Sequence, residues 1–225
     1  MRMRIGGFQK LTLVDFPGIV AATVFTQGCN FRCGYCHNAD LVLPELLGEP
    51  LPVELVFNYL SGRQGKIEGV VITGGEPTLQ PGLADFIAQI KAMGFAVKLD
   101  TNGSHPEVLS TLIELHLIDY FALDIKTSFK KYPLLTNTAC DTAKILESIH
   151  LIINSGVPYQ LRTTLVKEFC SGQDLDEIQA LIKDARHYAL QPFVISEKMI
   201  EERFKNQSQY TDAEIDALKS QYEKY

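Results

Sequence analysis

The segment GCNFRCGYCHN, residues 28–38, holds Cys29, Cys33 and Cys36, three of the chain's five cysteines, within eight residues. The other two, Cys140 and Cys170, are far away in the chain. A disulfide framework is a poor account of this cluster. Such frameworks staple short secreted domains that lack a core, and this chain has 225 residues, 46% of them hydrophobic. A structural zinc site wants four ligands, often as two spaced pairs; only three are local here, with His37 beside Cys36 able to complete a set. A thioredoxin-like CxxC would use Cys33 and Cys36 and leave Cys29 idle. An iron–sulfur cubane held by three thiolates would keep one iron without a protein ligand, an open position of the kind catalytic metals use.

Whatever these thiols bind must be positioned by the elements around them. Short apolar runs rich in β-branched residues recur at 19–25 (IVAATVF), 69–73 (GVVIT), 95–100 (FAVKLD), 120–125 (YFALDI), 159–166 (YQLRTTLV) and 192–196 (PFVIS). Near-continuous apolar character predicts strands buried on both faces, as in parallel sheets. Between them lie segments of helical spacing: VELVFNYL, LADFIAQIKAMG, PEVLSTLIELHL, TAKILESIHLIINSG and DLDEIQALIKDARHY. Gly94 reads as a helix stop, and Asp174 with Glu177 as an N-terminal cap. The alternation predicts an α/β fold. With about six units against the usual eight of a full barrel, the expectation is a partial, open (β/α)6 parallel barrel. It forms one domain over 1–225, with its core at about 19–196.

The ends of the chain read differently. IGGFQKLTLVDFPG predicts a short extended N-terminal flap. Residues 197–225 form a C-terminal extension: EKMIEERFKNQSQY reads as polar and irregular, and TDAEIDALKSQYEKY as a terminal helix with Thr211 and Glu214 in capping-box spacing. MRMRIGGFQK begins with charge but no apolar signal region follows, and no apolar run approaches the roughly 20 residues of a membrane span. The expectation is a cytoplasmic protein, where thiols stay reduced. A net charge of −6 argues against nucleic acid as a partner.

In α/β barrels the chemistry gathers at the carboxyl ends of the strands. Here those ends read TQGC, TGGEP, DTNG and DIK. The candidates they supply are Gly74, Gly75, Glu76 and Pro77 after the second strand, Asp100 and Thr101 at the third, and Asp124 and Lys126 at the fourth. Arg162 lies inside the apolar run YQLRTTLV, where a charge is rarely buried without a partner. It binds a ligand carboxylate or pairs with Asp124 or Glu76. Capping of a following turn explains one of Asp100 and Asp124 well and both less well. Cys140 and Cys170 read as inert thiols. His105, His116, His150 and His187 fall in helices or helix starts.

The spacing C-x3-C-x2-C in CNFRCGYC resembles the cluster motif of the radical S-adenosylmethionine (SAM) superfamily, and TGGEPTLQ at 73–80 resembles its glycine-rich GGEP motif. The resemblance implies a [4Fe-4S] cluster on Cys29, Cys33 and Cys36. It further implies that S-adenosylmethionine chelates the open iron through its amino and carboxylate groups, and that one electron cleaves the sulfonium to give a 5′-deoxyadenosyl radical. Gly74 and Gly75 would then let backbone approach the methionine portion, Tyr35 would contact adenine, and His37 would approach through its backbone. Core packing and a loop histidine are the ordinary readings of the last two.

KLTLVDFPG, VFTQGCNFRCGYCHN, KLDTNG and LDIK extend the likeness to glycyl-radical-enzyme activating proteins. VVITGGEPTLQPGL, VKLDTNG and RTTLVKE resemble most the anaerobic ribonucleoside-triphosphate reductase activating proteins, over most of residues 4–192. This implies a glycyl radical enzyme as protein substrate and a flavodoxin or ferredoxin-type electron donor. It also implies that Asp100, Thr101, Asp124 and Lys126 surround the cofactor, with a monovalent cation near the two aspartates. Gln191-Pro192-Phe193-Val194 stands where some activating enzymes carry a histidine, which puts that contact in doubt. A small-molecule radical enzyme such as 7-carboxy-7-deazaguanine synthase is the alternative. That family's motif usually ends in a tryptophan-containing CDT-type sequence, whereas CHN follows here and tryptophan is absent.

Overall fold

A computed structural model describes residues 3–225; Met1 and Arg2, the start of the charged MRMR run, lie outside the described residues. Seven strands stand in one open sheet in chain order: β1 (Ile5–Thr12), β2 (Ala21–Thr26), β3 (Gly69–Gly74), β4 (Ala96–Thr101), β5 (Tyr120–Asp124), β6 (Tyr159–Leu165) and β7 (Tyr188–Pro192). The helices are α1 (Ala39–Val42), α2 (Val53–Ser61), α3 (Leu83–Ala92), α4 (Pro106–Glu114), α5 (Tyr132–Thr136), α6 (Thr142–Asn154), α7 (Gly172–Leu181) and α8 (Asp212–Tyr222). None is long and apolar enough to cross a membrane, among the described residues.

The contacts gather into two compact units. The first takes in the chain up to Asn30, Asp40–Thr101 and Glu107–Phe121. Here β2 pairs parallel with β3, and β3 with β4. Ala22, Val24, Val70, Ile72, Val97 and Leu99 are wholly buried, which is why these strands read as unbroken apolar runs. Helix α3 buries Leu83, Phe86, Ile87 and Ile90, one stripe of its surface, and ends where Gly94 takes φ +90°, as its glycine predicts. The expected N-terminal flap is instead a strand. β1 pairs antiparallel with β2, with Phe8 opposite Val24, and makes the sheet mixed.

The second unit takes in Phe31–Ala39, Asn102–Pro106 and Ala122–Tyr225. Its β6 and β7 pair parallel, and α6 buries Ile145, Ser148, Ile149 and Ile152 along one stripe. Three expectations need correction. The sixth expected strand, 192–196, is displaced: the strand is Tyr188–Pro192, while Val194 is 62% and Ile195 45% exposed. His187 therefore precedes β7 rather than lying in a helix. The N-cap of α7 is Ser171, whose hydroxyl accepts from the Asp174 backbone while the Asp174 carboxylate accepts from the Ser171 backbone. Asp174 is thus the third residue of a capping box, not the cap. Its carboxylate also accepts from Ser128 Oγ (2.7 Å) and Lys131 Nζ (2.7 Å). At α8 the capping box of Thr211 and Glu214 forms as the spacing predicts.

Candidate cofactor site

In the first unit the end of β3 is folded against the end of β2. Gly75 N donates to Thr26 O (2.9 Å) and Glu76 N to Gly28 O (2.8 Å). A Cβ on Gly74 would stand 2.3 Å from Thr26 N, and one on Gly75 would stand 2.0 Å from Gly28 O. Gly74 has φ +115°, a region closed to most L residues. Both glycines are therefore required by this chain's own backbone, before any ligand is considered. Glu76 is buried. Its Oε1 accepts from Thr78 N (3.1 Å), Thr78 Oγ1 (2.6 Å) and Thr101 Oγ1 (2.7 Å), so it caps the turn that Pro77 opens and ties it to the end of β4.

Two residues here escaped the sequence reading. Gln80 Nε2 donates to Gln27 O (2.7 Å) and Gln80 Oε1 accepts from Arg4 N (2.9 Å), which stitches the TQG turn to the neighbouring backbone. Lys98, nearly buried, pairs with Asp100. The signal for Lys98 was present: residues two apart on a strand share a face.

In the second unit Arg162 pairs with Asp124, one of the partners expected. Asp124 Oδ1 accepts from Arg162 Nε and Nη2, each at 2.8 Å, and Oδ2 from Lys126 Nζ at 3.0 Å. Burial alone would raise the Asp124 carboxyl; Arg162 and then Lys126 outweigh it and hold the group well below the usual carboxylate range. Burial would lower the Lys126 ammonium, and Asp124 outweighs that and raises it. A carboxyl depressed on folding gives stability that is full above its unfolded value of about 3.9 and is lost as pH falls toward the folded value. Asp124→Asn is expected to cost about 2–3 kcal/mol near neutral pH. The gap from wild type should narrow below about pH 4 in urea midpoints taken across a pH series. A gap constant into acid would remove the ion pair from the account.

The cysteine loop of this unit carries Cys33, Tyr35, Cys36 and His37. The Tyr35 ring lies edge-on to Phe193 (6.0 Å) and Phe204 (6.1 Å), and the His37 ring lies 6.2 Å from Phe193. Tyr35 is thus packed as core, but its hydroxyl is buried and, among the described residues, has no hydrogen-bond partner. Such an orphaned group costs about 1–3 kcal/mol, and a polar ligand atom would relieve it. Burial also pushes the phenol well above its ordinary pKa. Cys170 is buried beside Lys126 O and Thr164 O, and burial pushes its thiol up to about 12; Cys140 is pushed up to about 11, also by burial. A raised thiol pKa disfavours the thiolate, which is the nucleophilic form. All five cysteines are thiols rather than disulfides. No group of three or more His, Cys, Asp or Glu side chains stands in metal-holding geometry among the described residues.

The radical SAM superfamily pattern matches residues 23–188, the span from β2 to the start of β7. The chain belongs to the radical SAM superfamily. Radical SAM enzymes use a [4Fe-4S] cluster and S-adenosylmethionine, and two features of this chain suit them: thiols as donors, and a buried phenol with no hydrogen-bond partner among the described residues. A Methanocaldococcus jannaschii protein named for glycyl-radical enzyme activation is 38% identical over 198 residues, covering 86% of this chain and 81% of its own length. The pyruvate formate-lyase-activating enzyme of Clostridium pasteurianum is 36% identical over 137 residues, 55% of this chain, which spans about half (52%) of that relative. Among solved structures, Streptococcus suis SuiB bound to S-adenosylmethionine aligns with TM-score 0.68 at 15% identity, over 87% of this chain and 44% of that one; this is a likeness of fold.

Proposed function

We propose that this radical SAM enzyme is an activase that generates a glycyl radical on a partner enzyme, anaerobic ribonucleoside-triphosphate reductase. The observation that carries the reading is the 38% identity with the M. jannaschii activating protein over most of both chains. The choice of partner rests on the phrases VVITGGEPTLQPGL, VKLDTNG and RTTLVKE. Cys29, Cys33 and Cys36 would hold the cluster. When bound, cluster and S-adenosylmethionine supply the one-electron cleavage that makes hydrogen abstraction from a glycine possible. The chain's own residues do the positioning. Glu76 fixes Thr101 and the turn at Pro77, and Gly74 and Gly75 keep that turn against the backbone that leads into Cys29. Asp124, Lys126 and Arg162 form a net-positive group suited to a ligand carboxylate, and Tyr35 offers its hydroxyl beside them. Lys98 balances Asp100, and Arg162 and Lys126 balance Asp124, so each aspartate has a protein cation and a monovalent cation is secondary. A flavodoxin or ferredoxin-type donor in a reducing cytoplasm suits a cluster ligated by thiolates.

The test is an electron paramagnetic resonance spectrum of the anaerobically reconstituted, reduced protein with S-adenosylmethionine and the anaerobic reductase of the same organism. A glycine-centred doublet on the reductase is expected. A reduced cluster perturbed by S-adenosylmethionine with no doublet would overturn the choice of partner and direct the search to other glycyl radical enzymes or a small-molecule substrate.

A further inference from the structure

The polar segment after β7 is irregular, as its composition predicts, but it is tied to the body at several points. Phe204 is 1% exposed, packed between Tyr35 and the stacked ring of Phe169 (6.3 Å). Glu201 N donates to Gly34 O (2.8 Å), inside the cysteine loop. The segment packs closely on Gly34: a Cβ there would stand 2.4 Å from Phe204 Cε2 and 2.6 Å from Glu201 Cδ, so those side chains would have to shift. Asn137 links the two sides, donating through Nδ2 to Arg32 O (3.3 Å) and to the Glu201 carboxylate. It does so from φ +50°, a conformation asparagine tolerates better than most residues. The far side of the segment is also tied. Arg203 pairs with Glu168 (3.1 Å), Gln207 Nε2 donates to Glu168, and Tyr210 OH donates to Cys170 O (2.7 Å).

From these contacts we infer that residues 193–204 are a latch that holds the folded shape of the loop of Cys33 and Cys36, with Phe204 and Glu201 as positioning residues. A cluster needs its thiolates held at fixed separations, and a loop this short has no regular secondary structure of its own to hold them. Phe193 and Phe204 clamp the ring between Cys33 and Cys36; the Glu201 N–H holds the backbone one residue after Cys33, and its carboxylate, the part that Glu201→Ala removes, holds Asn137 against Arg32 O at the start of the loop. The inference rests on reading those cysteines as cluster ligands, and its test separates the two.

The test uses the full chain and the variants Phe204→Ala, Glu201→Ala and Phe204→Leu. In the apo protein, alkylation of Cys33 and Cys36 is followed residue by residue by mass spectrometry, with Cys140 as the internal reference. Local opening of the latch is expected to speed modification of Cys33 by about tenfold in Phe204→Ala and several-fold in Glu201→Ala, with Cys140 unchanged. Phe204→Leu, which keeps the bulk, should return to near the wild-type rate. After reconstitution with iron and sulfide, Phe204→Ala should lose iron to a chelator about tenfold faster than wild type. Equal rates at Cys33 in all four proteins overturn the latch, as does a parallel rise at Cys140, which marks general loosening. A wild type that takes up no iron overturns the cluster reading instead, and the apo alkylation rates still decide the latch.

Discussion

Replacing Cys33 with alanine is expected to abolish the iron–sulfur absorption of the reconstituted protein while leaving its fold intact. Three thiolates leave one iron open, and two would leave a second iron open. Losing a group that merely orients a ligand typically costs 10–100-fold in metal affinity or activity, so losing the ligand itself should exceed about 100-fold. The structural cost is small by comparison. Cys33 is 7% exposed, and exchanging a thiol for a methyl hydrogen leaves a minor void, about 1 kcal/mol. The apo variant should therefore melt within a few degrees of wild type. Iron content and visible absorption give the first result, and far-ultraviolet circular dichroism during heating gives the second. Retained absorption would remove Cys33 from the ligand set and reopen the reading in which Cys36 and His37 belong to another kind of site.

How much of this was legible beforehand depends on the range of the interactions involved. Strands β2 to β6 fall within about two residues of the apolar runs, because burial on both faces leaves a local signature. Gly94 and the Thr211 capping box were legible for the same reason: each motif is complete within four residues. β1 was missed because IGGFQKLT carries two glycines and exposed polar positions, and its strand character comes from pairing with β2. The last strand was misplaced because PFVIS has the apolar run but YALQP has the partner, β6. At the site, residue types at the strand ends were legible, and the charge of Arg162 inside an apolar run called for a partner among them, with Asp124 one of the alternatives it meets. Glu76 meets Thr101 across 25 residues, a distance over which no pattern in the chain specifies contact. Phe204 was hidden because one aromatic ring in a polar stretch has no periodicity to reveal which face it buries.

Gly75→Ala is the second large effect expected, and it tests what the glycines of TGGEP answer to. The added methyl would overlap Gly28 O at 2.0 Å and Gly28 C at 2.6 Å. These are backbone atoms, so no rotamer change can relieve the clash. The two chain segments must separate, which strains or breaks the bond from Glu76 N to Gly28 O (2.8 Å). Overpacking of this kind costs about 1–3 kcal/mol, and the lost hydrogen bond about 1 kcal/mol more. For a chain of this size, that lowers the melting temperature of the apo protein by roughly 5–10 °C. Gly48→Ala is the control: it is exposed, a Cβ there meets nothing within 4 Å, and its effect should stay within about 0.5 kcal/mol. The displaced residue, Gly28, immediately precedes Cys29, so iron uptake should fall along with stability. The alternative is a glycine kept only so that S-adenosylmethionine can approach. That reading requires Gly75→Ala to melt with wild type and take up iron normally, and to differ only in its affinity for S-adenosylmethionine. Melting of the apo protein involves no cofactor, so it separates the two readings before any cluster is assembled.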